Sequence, residues 1–216
     1  MTMSAPKVDG RIERGAHTRH AILERAAAIA SVEGLERVSI GRLATELRAS
    51  KSGVFAHFGS KEELQLATVQ WAREVFVAQV ITPALRAPGG LRRLWRLCDN
   101  WLDYSKRRVF PGGCFFVSVA AEFDARPGRV RDAIADAHRE WQQFLETSII
   151  KARELGELLD DADPRQLAFE LDAFTGATQD ALLFDERSVY TRARRAMLNR
   201  LRAAATDPSL LPSAPR

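Results

Sequence analysis

Within eight residues, Ser50-Lys51-Ser52-Gly53-Val54-Phe55-Ala56-His57, the chain places two hydroxyls, an ammonium, an imidazole and a glycine. These groups donate hydrogen bonds, carry positive charge and add little bulk. They suit contact with phosphates and base edges. Elsewhere the sequence offers no catalytic arrangement: no Ser/His/Asp or Cys/His set has supporting spacing. His138-x-Glu140 falls in a long helical stretch with no further histidine or cysteine nearby, which argues against a metal site. No cofactor is implied, and a non-enzymatic role is expected.

The charge has a matching asymmetry. The chain has 216 residues, 32 Lys+Arg and 28 Asp+Glu, for a net charge of +4. Residues 1–61 hold ten Lys/Arg, six Asp/Glu and three of the four histidines; the remainder holds 22 of each sign. The whole positive excess lies at the N-terminal end, which suits an anionic partner there. Two cysteines, Cys98 and Cys114, give no disulfide framework and fit a reducing cytoplasm. No apolar run is long enough to span a membrane, and the first residues lack the apolar core of a secretory signal.

The elements that must position these groups read as helices. Leucine, alanine, arginine and glutamate dominate, and alternating strand patterns are absent. Residues 1–17, with Pro6, Gly10 and Gly15, read as a flexible basic arm. A first helix spans about Thr18 to Glu33, with Ile22, Ala26 and Ile29 on one face and Gly34 as its stop. Ser39 caps a short helix to Leu47, Ser50 caps another to Phe58, and Ser60-x-x-Glu63 opens a long one. Four more helices and a last one from Ser188 follow, nine in all, then a flexible tail over 206–216.

In the second short helix Val54 and Phe58 point inward, leaving Ser50, Lys51, Ser52, Gly53 and His57 outside. A recognition helix needs such a face, because the major groove is about 12 Å wide and excludes bulk. Free N–H groups at helix starts, near Ser39 and Lys61, can hold phosphates.

With His57-Phe58-Gly59-Ser60-Lys61-Glu62-Glu63-Leu64 following that pair of helices, residues 18–64 resemble the DNA-binding domain of the TetR family of bacterial transcriptional regulators. The length and helix layout extend the resemblance to the whole chain. It implies an all-α protein with a helix-turn-helix domain over 18–64 and an effector-binding, dimerising domain over 65–205. It also implies a homodimer on double-stranded operator DNA and repression released by a small molecule. Ser39, Arg42, Arg48, Ser50, Lys51, Ser52, Gly53, Phe55, His57 and Lys61 would form the DNA face. The family usually has Gly at the position of Arg48, Ala at Leu47 and Tyr at Phe55. Helix four, which joins the domains, would be the lever.

In the larger domain, aromatic bulk suggests a pocket for an apolar or aromatic effector. Its expected walls are Trp95, Trp101, Tyr104, Phe115, Val119 and Phe123, with Trp141, Phe144, Phe174, Thr175 and Gln179. The last two helices carry apolar stripes suited to dimer contact: Leu167, Leu171, Phe174, Ala177 and Ala181, then Val189, Ala193, Met197 and Leu201. Two other readings stay open, a small helical enzyme or carrier using the aromatic cavity and a DNA binder without an effector.

Overall fold

The computed structural model describes residues 10–213, with side chains described for 13–179 and 181–213. Among these the fold is all-α, with nine helices of seven residues or more. They are α1 (Gly10–Glu33), α2 (Ile40–Glu46), α3 (Lys51–Phe58), α4 (Lys61–Phe76), α5 (Leu91–Lys106), α6 (Phe115–Phe123), α7 (Arg129–Glu154), α8 (Pro164–Gly176) and α9 (Ser188–Ala204). Helix α4 continues through a π-helical turn, Val77–Ile81, into a last turn Thr82–Ala84 that holds Pro83. The Asn100 side chain on α5 donates to the Val80 carbonyl at 3.0 Å and satisfies that turn.

Two termini differ from the sequence reading. Residues 10–17, expected in a flexible arm, form the first two turns of α1; residues 1–9 lie outside the described set. Gly10 and Gly15 do not break the helix, since glycine costs a helix only about 1 kcal/mol against alanine. Within the expected tail, Asp207 caps a short 3₁₀ turn through the Ser209 amide at 2.9 Å and Leu211 is buried. Residues 214–216 are outside the described set.

The stripes expected to meet a second copy face inward instead. Leu167, Leu171, Ala181, Val189, Ala193, Met197 and Leu201 are buried in the chain's own core, and Phe174 packs against it; Ala177 is exposed. A 3.6-residue stripe shows that a helix face is covered without showing what covers it. The apolar groups that do face outward near these helices are Phe169, Leu183 and Phe184, at 60%, 75% and 66% exposure. Helix α9 is tied to α5 by Arg194, only 3% exposed, which reaches Asp99 at 2.7 Å and Asp103 at 2.6 Å.

One seam joins the helix-turn-helix end to the larger domain. Gly34 ends α1 with φ 93°, its N–H on the Ala30 carbonyl at 3.0 Å. The Glu122 carboxylate, from α6, accepts the next two amides, Leu35 N–H at 2.6 Å and Glu36 N–H at 3.0 Å. A Cβ on Gly34 would meet that carboxylate at 2.8 Å. Just before α6, the Gly112 N–H donates to Ser31 Oγ at 3.1 Å. A Cβ on Gly112 would lie 1.8 Å from the Ser31 carbonyl oxygen, an impossible contact.

Hydrogen bonds to a charged acceptor contribute about 1.5–3 kcal/mol. Glu122→Ala should therefore speed hydrogen exchange at Leu35 and Glu36 by about tenfold or more, since tenfold corresponds to about 1.4 kcal/mol. Protection unchanged at both amides would mean that water replaces the carboxylate at no cost.

Candidate nucleic-acid interface and effector cavity

The helix-turn-helix is built from three capped starts and one tight stop. Ser39 Oγ accepts the Arg42 amide at 3.3 Å, Ser50 Oγ the Gly53 amide at 3.0 Å, and Ser60 Oγ the Glu63 amide at 3.1 Å. A side chain on Gly53 would press on Ser50 Oγ at 3.0 Å, so glycine there keeps the cap intact. Helix α2 ends with Ala49 N–H on Ala44 O at 2.9 Å and Arg48 N–H on Thr45 O at 3.3 Å. This is a Schellman turn, and its left-handed residue is Arg48, with φ 53°. This left-handed position, which favours glycine, is thus held by a strained arginine, whose side chain is exposed.

Helix α3 buries Val54 and Phe58 and exposes Lys51, Ser52, Gly53 and Phe55, with His57 half-buried. Lys51 leans on α2, its Cε 3.5 Å from where a Gly41 Cβ would sit. Two expected DNA contacts are engaged within the domain. Arg42 binds Glu33 at 2.5 and 2.7 Å and Glu46 at 2.9 Å, and its hydrogen bonds hold both carboxyls below the usual range. Lys61 Nζ meets Glu36 at 2.7 Å and lowers its pKa likewise. Acidic residues on α1, α2 and the turn between them claim these cations first. Lys51 and Arg48 face solvent.

The larger domain holds a cavity of about 590 Å³, open to solvent on one side, between α4, α5, α6, α7 and α8. Of the expected walls, Trp101, Trp141, Phe144 and Thr175 line it. Tyr104, Phe115, Val119 and Phe123 do not; they are buried in the core. On α6 the i, i+4, i+8 face of Phe115, Val119 and Phe123 turns to the core, which leaves Phe116, Val117, Ala120 and Ala121 for the cavity. Trp95 lines a separate surface groove with Arg92 and Leu211, Phe174 packs on the core, and Gln179 sits in a 3₁₀ turn past α8.

Sequence reasoning missed Phe76, Val77 and Ile81, which the end of α4 brings to the cavity. It also missed the polar rim. Arg73 Nε binds Glu140 at 2.6 Å. The Asp172 carboxylate accepts Trp141 Nε1–H at 3.0 Å and a Gln142 Nε2–H at 2.8 Å. No local pattern announces these pairs. Cys114 also lines the cavity, and burial pushes its thiol up to about 11; burial pushes Cys98 to about 12. Both are free and buried. Among the described residues no cluster of three or more His, Cys, Asp or Glu could hold a metal ion, and no helix is long and apolar enough to cross a membrane.

The fold is a helix-turn-helix end seamed to a helical domain that holds a largely apolar cavity. Comparison with known proteins fixes the family. Residues 22–68 match the family of bacterial regulatory proteins of the tetR family, and residues 90–197 match the tetracyclin repressor-like C-terminal domain. The chain belongs to the TetR family of transcriptional regulators.

Solved structures share the fold. A TetR transcriptional regulator from Chloroflexus aurantiacus J-10-FL is 23% identical with TM-score 0.79, covering 89% of this chain and 98% of its own. AibR, solved with isovaleryl coenzyme A and operator DNA, is 22% identical with TM-score 0.68, covering 86% and 97%. A transcriptional regulator from Saccharomonospora viridis in complex with choline is 24% identical with TM-score 0.70, covering 89% and 99%. No curated protein sequence matches the chain.

The Arg48 geometry separates stability from binding. A non-glycine residue in the left-handed region costs about 1–2 kcal/mol. Arg48→Gly should raise stability by up to about 1 kcal/mol, after the unfolded-state entropy of glycine is discounted. It should also weaken DNA binding through the lost cation. Denaturant midpoints and DNA titrations of the variant check both, and a lower midpoint would refute the strain.

Proposed function

We propose that this regulator is a homodimeric repressor that leaves a palindromic operator when a small apolar or aromatic effector fills the cavity. The observation that carries this reading is that α6 belongs to both sites. Its Phe116, Val117, Ala120 and Ala121 line the cavity, and its Glu122 holds the backbone that follows α1. An effector that displaces α6 therefore pulls on the helix-turn-helix directly. Helix α4 gives a second route, since Ser60 starts it beside α3 and Phe76, Val77 and Ile81 end it in the cavity wall.

The effector must bind the displaced arrangement more tightly than the operator-bound one for any release to occur. Relatives with the same fold, one with isovaleryl coenzyme A and operator DNA and one with choline, support a site for small organic molecules. The outward apolar residues Phe169, Leu183 and Phe184 offer a surface for a second copy, and two-fold symmetry suits a palindrome. In the dimer, Lys51, Ser52, Gly53 and the Ser50 cap of each α3 would enter successive major grooves, with Arg48, Phe55 and His57 beside them.

Fluorescence anisotropy on DNA from upstream of the chain's own gene, against a shuffled duplex, tests the reading. Tight, palindrome-dependent binding with two or more chains per site is expected. Lys51→Ala should weaken that binding and reduce the slope of log K against log salt by about 1, as loss of one phosphate contact requires. Equal, weak affinity for both duplexes would count against an operator in that region. An unchanged slope would remove Lys51 from the phosphate contacts.

A further inference from the structure

We propose that the effector is a lipophilic organic cation, an aromatic or alkyl ammonium, held by the Asp172 carboxylate inside aromatic walls. This rests on the cavity being the effector site and names the chemistry it selects.

The charges around the cavity do not balance. Among the described residues, Arg73 is the only lysine or arginine in its lining, and it is bound to Glu140 at 2.6 Å. That pair cancels itself. Asp172 is left, with its side chain only 15% exposed. Its two oxygens take hydrogen bonds from Trp141 Nε1–H and Gln142 Nε2–H. Both donors are neutral, so they orient and solvate the carboxylate without cancelling its charge. His138, whose Nε2 lies 3.4 Å from Asp172, adds charge only when protonated, and it is largely in water at 56% exposure.

A carboxylate beside an apolar cavity, with an exposed imidazole as its nearest ionisable partner, is costly. A bound cation relieves that cost, whereas a bound anion raises it. A neutral apolar guest displaces water from the carboxylate and gives nothing back.

The walls point the same way. Phe76 stands at right angles to two neighbours, Trp141 at 5.2 Å and 84°, and Phe116 at 6.3 Å and 89°. These three rings pack edge to face on one another, and all line the cavity together with Phe144 and Trp101. Their faces carry the negative end of the quadrupole, which attracts ammonium groups within about 6 Å. At about 590 Å³ the cavity has room for a substituted ammonium with an aromatic or branched tail.

The test uses two probes that differ only in one atom: 4-(hydroxymethyl)-N,N,N-trimethylanilinium, and its neutral carbon isostere, 4-tert-butylbenzyl alcohol. Binding is read by quenching of tryptophan fluorescence, since Trp101 and Trp141 line the cavity. Operator anisotropy is run on the same preparation. The cation should bind at least about tenfold more tightly than the isostere. Asp172→Asn should remove most of that preference while leaving affinity for the alcohol within about twofold. Phe144→Leu, which keeps an apolar wall, should weaken the cation more than the alcohol, and it serves if Asp172→Asn fails to fold. Equal affinity for the two probes, tighter binding of the alcohol, or no binding of the cation overturns the assignment. Each of those results leaves the regulator reading intact so long as the protein still binds its operator specifically. Loss of specific operator binding by the unsubstituted protein strikes the regulator reading instead.

Discussion

Two backbones meet where no side chain fits. At Gly112 the chain before α6 comes so close to the Ser31 carbonyl that even a methyl group is excluded. Ten residues on, Glu122 fastens the amides that follow α1. These contacts fix the orientation of the helix-turn-helix relative to the larger domain at two points on one short stretch. Close-packed elements of this kind shift between discrete arrangements instead of bending smoothly. The cavity therefore shares α6 with this seam.

The DNA-facing end is organised differently. Its helices α2 and α3 are about two turns long, too short to be stable alone. They persist because Ser39 and Ser50 cap their starts and because Leu43, Ala44, Val54 and Phe58 pack into the core. The ion pairs of Arg42 and Lys61 lie at the surface, where such pairs contribute little individually. Their larger effect is to withdraw two cations from the outer face. The positive charge presented by α3 and the turn before it then rests on Lys51 and Arg48. Residues 1–61, which hold the whole positive excess of the chain, present only part of it on this face.

The short helices were legible because their signals are local. Ser39, Ser50 and Ser60 each precede an apolar period and each caps a helix in the structure. The all-helical class followed from the same periodicity, and His57 to Leu64 identified the family. The start of α1 was misjudged because glycine was given more weight as a breaker than its cost warrants. The stripes on α8 and α9 were assigned to another subunit because periodicity says nothing about which surface covers a face. Half of the expected aromatic walls proved to be core for the same reason: Phe115 and Phe116 are adjacent, yet they point to different places. Glu122 and Asp172 were invisible, since their partners lie far away in sequence, and only the tertiary fold brings them together.

The two thiols have a practical consequence in reaction kinetics. Cys98 and Cys114 are the only cysteines in the chain, and burial holds them near 12 and 11. At neutral pH their thiolate fraction is on the order of 10⁻⁴ or less, while an exposed cysteine near 8.5 reaches a few per cent. Alkylating reagents act on the thiolate, so a single cysteine introduced on the surface of α3 would be modified far ahead of both. The native chain is in effect a silent background for site-specific labels. Distances between paired labels on two copies could then report the separation of the recognition helices without removing either natural thiol.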